Sequence, residues 1–130
     1  MTCFVSHTSV DARDAYAQSL FWSRVLGYVE DPDDPNGPGD EECPIHDAES
    51  GHTMLFIEVP EAKTVKNRIH FDIRPRTGTR DAELERLLDL GASVVADHRG
   101  IHGPGTGWVT LADPEGNEFC VLRSPTELAG

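Results

Sequence analysis

The sequence has few cysteines and no long apolar run. Its 130 residues include three cysteines, Cys3, Cys43 and Cys120, which are odd in number and form no CxxC pair. This pattern is typical of reduced intracellular proteins and argues against a disulfide framework. The longest apolar runs, MLFI and FCVL, are far shorter than the roughly 20 residues of a membrane span. We therefore expect no membrane-spanning segment and no disulfide scaffold.

Basic residues are also scarce. The chain has 11 Lys and Arg against 23 Asp and Glu, a net charge of −12. Such a chain repels phosphate backbones, so we expect no nucleic-acid partner. The opening MTCFVSHTSV has neither the basic nor the apolar region of a secretory signal, so a cytoplasmic location is expected. GxSxG, P-loop and GxGxxG motifs are absent, which leaves hydrolase, NTPase and Rossmann functions unsupported.

One stretch of the chain occurs twice. Residues 51–60, GHTMLFIEVP, and 116–125, GNEFCVLRSP, both begin with Gly, carry apolar residues at matching places and end in Pro. The glycines that follow the two predicted helices, Gly27 and Gly91, repeat at nearly the same distance. An internal repeat of this kind predicts two copies of one small module.

The residue patterns predict the same element order in each half, β-α-β-β-β. Residues 30–42 between elements, rich in acids and prolines, are predicted to be a loop. The predicted strands are 3–10, 28–29, a short one at 43–48, 52–59, 68–73, 93–96, 108–112 and 117–122, and the predicted helices are 13–26 and 79–90.

These elements predict a single α+β domain over residues 1–130. It consists of a first βαβββ module at 3–59, a linker at 60–67 and a second βαβββ module at 68–125. A four-stranded sheet with one helix leaves its other face open. Two such modules are therefore expected to form a curved mixed sheet around a cleft, where ligand sites tend to form.

Two histidines occupy equivalent places on the opening strands of the two halves. His7 and His70 are metal-ligand candidates because of this equivalence, although a lone strand histidine is often structural. His70 alternates with Asp72 and so points away from the apolar pair Phe71 and Ile73.

Four segments together resemble the vicinal oxygen chelate superfamily, the glyoxalase and bleomycin-resistance proteins, and within it a glyoxalase-like branch. They are HTSVDARD (7–14), FWSRVLGY (21–28), NRIHFDI (67–73) and GWVTLADPEGNEFCVL (107–122). The resemblance covers nearly the whole chain. It implies the glyoxalase/bleomycin resistance/dioxygenase fold, a small-molecule ligand in the cleft and a homodimer.

The resemblance also implies a metal site. In metal-using members, a His on each opening strand and a Glu on the last strand bind the metal. His7 and His70 match the histidines, but Cys120 stands at the Glu position and Leu55 at the equivalent place of the first half. The implied cofactor is a divalent ion (zinc, nickel, manganese or iron), with a metal-free protein as the alternative.

Three interpretations of Cys120 stay open. It fills apolar space, it is a thiolate ligand that favours zinc, or Glu118 on the same strand face supplies the oxygen that is missing. Glu58 is a further carboxylate candidate on a strand of the first half. With a metal, Glu118 or Glu58 would move a proton in lyase or isomerase chemistry on vicinal oxygens.

The alternative function is a metal-free protein that binds a small molecule or drug without turnover. An aromatic wall would then hold the ligand, with Trp22 and Trp108 as candidates for either core or wall. His98 and His102 lie in a Gly-rich loop, so we do not expect them to bind a metal.

Overall fold

The computed structural model describes all residues from 1 to 130 and divides into two compact units, Met1–Ala62 and Lys63–Gly130. Each unit contains one small sheet with helices, so the predicted α+β class is confirmed. The boundary between the units falls inside the predicted linker at 60–67. None of the helices combines the length and apolar character needed to cross a bilayer.

The first unit has a three-stranded sheet and one long helix. Its elements are β1 (Thr8–Ala12), α1 (Ala15–Leu26), β2 (Glu42–His46) and β3 (Thr53–Glu58). The strand order is β1-β3-β2, in which β1 runs parallel and β2 antiparallel to the central β3.

Two strand predictions in this unit are wrong in extent. The predicted strand 3–10 begins only at Thr8, the first residue that pairs with β3, opposite Met54. His7 therefore precedes the strand. The predicted strand at 28–29 is reduced to an isolated bridge between Val29 and His46, since the acidic, proline-rich loop follows at once.

Helix α1 ends at Leu26, as the sequence predicts, and begins at Ala15, two residues after the predicted start. The Asp14 carboxylate accepts a hydrogen bond from the Ala17 N–H, a favourable N-cap. Gly27 ends the helix in the left-handed conformation, with φ of 73°. The helix buries Phe21 and Trp22 against β2 and β3, so Trp22 is a core residue.

The second unit repeats this plan with one strand more. Its elements are β4 (Phe71–Ile73), α2 (Arg80–Leu90), β5 (Ser93–Asp97), β6 (Val109–Ala112), β7 (Glu118–Val121) and α3 (Pro125–Ala129). The order is β4-β7-β6-β5, and only the β4–β7 pair is parallel. Gly91 ends α2 with φ of 117°, as predicted.

The opening strand of this unit is shorter than the predicted 68–73. The backbone N–H of Glu118 donates a hydrogen bond of 2.9 Å to the side-chain oxygen of Asn67. A side chain, and not the backbone of an extended β4, is therefore its partner. His70 therefore lies immediately before β4. The short helix α3 was not predicted, although Ser124 and Glu127 form a capping box at its start.

A tight turn at residues 113–116 joins β6 to β7 as an antiparallel hairpin. The Asp113 carbonyl accepts the Gly116 N–H at 2.9 Å. Its carboxylate accepts the N–H groups of Glu115 and Asn117, each at 2.9 Å. This turn fixes the register that pairs Thr110 with Cys120.

The two faces of the second sheet differ. One face is buried and carries Phe119, Val121 and Leu111, and β7 contacts α2. Because side chains alternate along a strand, Cys120 and its strand neighbours point to the opposite side. This side, the open face, carries the polar residues described next.

Candidate functional site

A pocket of about 400 Å³ lies on the open face of the second sheet. Residues of β4, β6 and β7 and of the segments that flank them line it. They are Lys66, His70, Asp72, His98, Trp108, Thr110, Glu118, Cys120 and Leu122. The pocket therefore combines two imidazole rings, an indole ring, an amino group, two carboxylates and a thiol on one surface.

Three side chains in this pocket form a group that could hold a metal ion. The ligand atoms of His70, Asp72 and Cys120, hereafter the donor cluster, all lie within 4.8 Å of one another. His70 Nδ1 and Asp72 Oδ1 are 3.5 Å apart. Asp72 pairs directly with Cys120 across the parallel β4–β7 ladder, and this register brings a carboxylate beside the thiol.

Cys120 lines this pocket between Asp72 of β4 and Thr110 of β6, its partners in the sheet. Its Sγ is 3.4 Å from Thr110 Oγ1 on the neighbouring strand. Burial raises the pKa of the Cys120 thiol, the contact with Thr110 lowers it, and the charges of Asp72 and Glu118 raise it further. The thiol is therefore protonated at neutral pH and is no activated nucleophile. Its place among polar groups, away from the α2-facing core, disfavours the interpretation as apolar filler.

Glu118 shares this face two residues earlier on β7. Its Oε1 is 2.9 Å from Lys66 Nζ. The Glu118 side chain is only 10% exposed, whereas that of Lys66 is 69% exposed. The carboxylate is thus held in place, while the lysine that neutralises it can swing into solvent.

Two rings form one wall of the pocket. The centroids of His98 and Trp108 are 4.8 Å apart and the ring planes are tilted by 34°. Gly107, between them in the loop, has φ of 84°, and a Cβ there would lie 1.9 Å from the His98 carbonyl oxygen. The buried Arg80 donates hydrogen bonds to the carbonyls of Thr106 and Gly107 at 2.8 and 2.9 Å, which fixes this loop on α2.

The remaining candidates belong to the first unit. His7 is exposed, and its ring is 3.0 Å from Ser6 Oγ. Leu55 lies at the centre of the first sheet, paired with Ser9 and Pro44. Glu58 lies exposed at the end of β3, and beside Glu41 it lines a small pocket of the first unit.

The structure thus brings together three of the predicted site residues, His70, Cys120 and Glu118. It does not include His7 or Glu58 in that pocket. Asp72 was not predicted as a ligand, although its alternation with His70 was visible in the sequence and indicated a shared strand face. His98 and Lys66 were missed because each lies outside the strands, where no periodicity indicates which way a side chain points.

A family model described as glyoxalase-like domain matches residues 7–122 of the chain. No curated protein matches it. This agrees with the resemblance inferred from the sequence motifs and covers both units.

Solved structures with the same fold are similar over nearly the whole chain. The fosfomycin resistance protein FosX from Listeria monocytogenes, as a mutant with Mn(II) and 1S,2S-dihydroxypropylphosphonic acid, has a TM-score of 0.68, 16% identity and coverage of 98% of this chain and 94% of its own. A possible glyoxalase from Bacillus cereus has a TM-score of 0.64, 15% identity and coverage of 93% and 99%.

A third structure is a glyoxalase/bleomycin resistance protein/dioxygenase family enzyme from Burkholderia phytofirmans. It has a TM-score of 0.63, 19% identity and coverage of 89% and 94%. At these identities the likenesses establish the fold, which is the predicted one.

Proposed function

The chain belongs to the glyoxalase-like domain family, and we propose that it binds a small molecule with neighbouring oxygen atoms at a divalent metal in the second-unit pocket. The chemistry would be of the lyase or isomerase type. The observation that carries this proposal is the donor cluster, in which a ring nitrogen, a carboxylate oxygen and a sulfur lie within 4.8 Å of one another.

The donor cluster fits a metal ion in number and spacing. Catalytic zinc sites use three protein ligands and leave a fourth position for water or substrate. Ligand atoms about 2.0–2.3 Å from a tetrahedral ion are roughly 3.6 Å from one another. The 3.5 Å between His70 Nδ1 and Asp72 Oδ1 already matches this spacing, and Cys120 Sγ needs a shift of about 1 Å at most. His7 stays a predicted additional ligand.

When bound, such a metal supplies Lewis acidity toward the oxygen atoms of a substrate. The chain's own residues supply the rest. Glu118 is the proposed group that accepts and returns a proton, because it is nearly buried in the pocket and its partner Lys66 is free to move. Trp108 and His98 present the aromatic surface against which the carbon part of a ligand packs. Glu58 stays a predicted alternative to Glu118.

Elemental analysis of protein purified without a histidine tag, incubated with excess zinc and dialysed, tests this proposal. We expect one metal per chain, with loss of the metal in His70→Ala and Cys120→Ala. His102→Ala is the matched control, because His102 is an exposed histidine of the same unit outside the pocket. His7→Ala tests the additional ligand. A folded wild-type chain that retains no metal would overturn the proposal.

The 1S,2S-dihydroxypropylphosphonic acid bound to FosX is a suitable probe for ligand binding, because it carries two vicinal hydroxyls. We expect it to raise the melting temperature of the zinc-loaded chain by mass action. The same addition to chelator-treated protein should give a smaller shift. Equal shifts in both would mean that the probe does not bind through the metal.

A metal-free binding protein is the second candidate, and the His98–Trp108 wall beside the carboxylates of Asp72 and Glu118 favours it. Such a site suits a cationic aromatic molecule. In the presence of a chelator, a panel of cationic aromatic drugs should then raise the melting temperature, and Trp108→Ala should abolish the shift. No shift with any member of the panel would count against this candidate.

We further propose that the protein is a cytoplasmic homodimer, as the resemblance implies. Light scattering at micromolar concentration tests the assembly. A mass near the 14.3 kDa of one chain would contradict it.

A further inference from the structure

We infer that the donor cluster selects a thiophilic divalent ion of the zinc type over Mn(II). The inference rests on the proposed function, since it requires that a metal is bound in the second-unit pocket. It concerns what Cys120 and Asp72 do there, and it distinguishes this chain from a site built only of histidines and carboxylates.

The first argument is the chemistry of the donor atoms. Thiolate ligands favour zinc and similar soft-tolerant ions, whereas carboxylate, carbonyl and water oxygens suit manganese and magnesium. Cys120 contributes sulfur at the centre of the cluster, and only one of the three donors, Asp72, contributes oxygen. A set of one nitrogen, one oxygen and one sulfur therefore favours zinc.

The second argument is the strand register. Asp72 and Cys120 are direct partners in the parallel ladder, and Thr110 is the antiparallel partner of Cys120 on its other side. Asp72 thus presents its carboxylate on the strand next to the thiol, and these two groups would hold the metal together with His70. The Asp72 carboxylate would supply the oxygen ligand, because residue 120 on the last strand is a cysteine and supplies sulfur.

The third argument concerns the competing carboxylate. Glu118 would convert the site into a harder one if it replaced Cys120 as ligand. In the structure its Oε1 is instead 2.9 Å from the Lys66 ammonium group, and its backbone N–H is held by Asn67. The structure thus pairs the Glu118 carboxylate with Lys66, and Glu118 is not one of the three donors.

Cobalt(II) titration of the chelator-treated full chain tests the inference directly. Cobalt bound by a thiolate gives a near-ultraviolet sulfur-to-metal charge-transfer band. We expect this band in the wild type, its loss in Cys120→Ser and its retention in Glu118→Gln. Cys3→Ser and Cys43→Ser are matched controls that should keep the band, because neither thiol belongs to the donor cluster.

Competition then measures the preference. We expect equimolar zinc to remove the cobalt band and a roughly 100-fold excess of Mn(II) to leave it. In Cys120→Glu, which restores a carboxylate at this position, the preference for zinc over Mn(II) should fall by about tenfold or more, measured by the metal content after mixed loading.

The outcomes separate the two proposals. A chain that binds no metal ion would overturn the proposed function together with this inference. A chain that binds cobalt without a charge-transfer band, or that binds Mn(II) as well as zinc, would overturn only the inference. Loss of cobalt binding in Glu118→Gln, with binding retained in Cys120→Ser, would assign the ligand role to Glu118 instead.

Discussion

The two units of the chain share one frame and place different chemistry on it. In each unit the first strand runs parallel to the last, which in turn pairs antiparallel with the strand before it. The central row of the first sheet is Ser9, Leu55 and Pro44, and that of the second is Asp72, Cys120 and Thr110. The repeat therefore keeps backbone pairing and core positions, while the exposed side of the central row is free to vary.

The units also differ in charge. The first unit contains 13 acidic and two basic residues, a net charge of −11, and the second contains 10 and nine, a net charge of −1. Together they give the −12 of the whole chain. The negative charge that repels anions thus lies almost entirely in the first unit. The second unit is nearly neutral, so net charge does not exclude an anionic ligand from its pocket.

The largest effect on the free energy of unfolding is expected from truncating a buried side chain on the helix-facing side of either sheet. Met54 on β3 is fully buried on the α1 side, and its repeat counterpart Phe119 is fully buried on the α2 side. Met54→Ala should lower the free energy of unfolding by about 2–5 kcal/mol, and Phe119→Ala by about 3–5 kcal/mol, through lost packing and a cavity. Urea denaturation measures both.

Leu55→Ala is the matched control, since Leu55 lies next to Met54 but on the other face and is half-buried. It should cost distinctly less, roughly 1 kcal/mol, because fewer apolar contacts are lost. A cost equal to that of Met54→Ala would show that the other face of the first sheet is as tightly packed as the core.

Placing the residue types of the second central row into the first sheet would test whether this row alone determines which unit binds a metal. The double substitution Ser9→Asp/Leu55→Cys gives the first unit the same residue types as the donor cluster, because His7 already stands where the repeat requires a histidine. We expect zinc content to rise from one to two ions per chain. At zinc concentrations about 100 times the dissociation constant, the second ion should add roughly 2.7 kcal/mol of stability.

The single substitution Ser9→Asp, with Leu55 intact, should leave the zinc content at one ion per chain. If the double variant also stays at one, the row is not sufficient. The orientation of the His7 ring, which lies 3.0 Å from Ser6 Oγ, would then be what keeps it away from the row.

The buried Cys43 of the first unit should make the stability of the chain depend on pH. Burial, with help from Asp40 and Glu30, raises the pKa of Cys43 to about 11. Its unfolded value is 9.0, so the unfolded chain releases this proton first. Stability should fall by about 2 kcal/mol as the pH rises from 9 to 11. The free energy of unfolding of the wild type and of Cys43→Ala, measured by urea denaturation across this range, should show the difference.

In Cys43→Ala this contribution to the slope should vanish, while other alkaline groups titrate as before. Cys3→Ala is the control, because Cys3 is exposed and should leave the slope unchanged. Equal slopes for the wild type and both variants would mean that the Cys43 thiol titrates alike in the folded and unfolded chains.

The features that the sequence predicts correctly depend on neighbouring residues, whereas those that it does not predict depend on residues far apart in the chain. Helix ends at Gly27 and Gly91 were predictable because the left-handed cap requires glycine, and the Asp113 turn because its side chain bonds its own backbone. The convergence of Asp72 on Cys120 was not, since it depends on the register of two strands nearly 50 residues apart. The opening strand of each unit was predicted too long, because residue alternation does not show where hydrogen-bonded pairing with another strand begins.

The smallest expected effect concerns the uneven charge. Asp34 lies in the acidic loop of the first unit and Glu85 on the exposed side of α2 in the second. At about 0.01 M salt, where screening extends to roughly 30 Å, Asp34→Asn should raise stability by a few tenths of a kcal/mol by removing like-charge repulsion. Glu85→Gln should change stability less, because its unit is nearly neutral. At about 1 M salt the difference between the variants, measured by urea denaturation, should disappear, and a difference that persists would mean that Asp34 acts through a local contact.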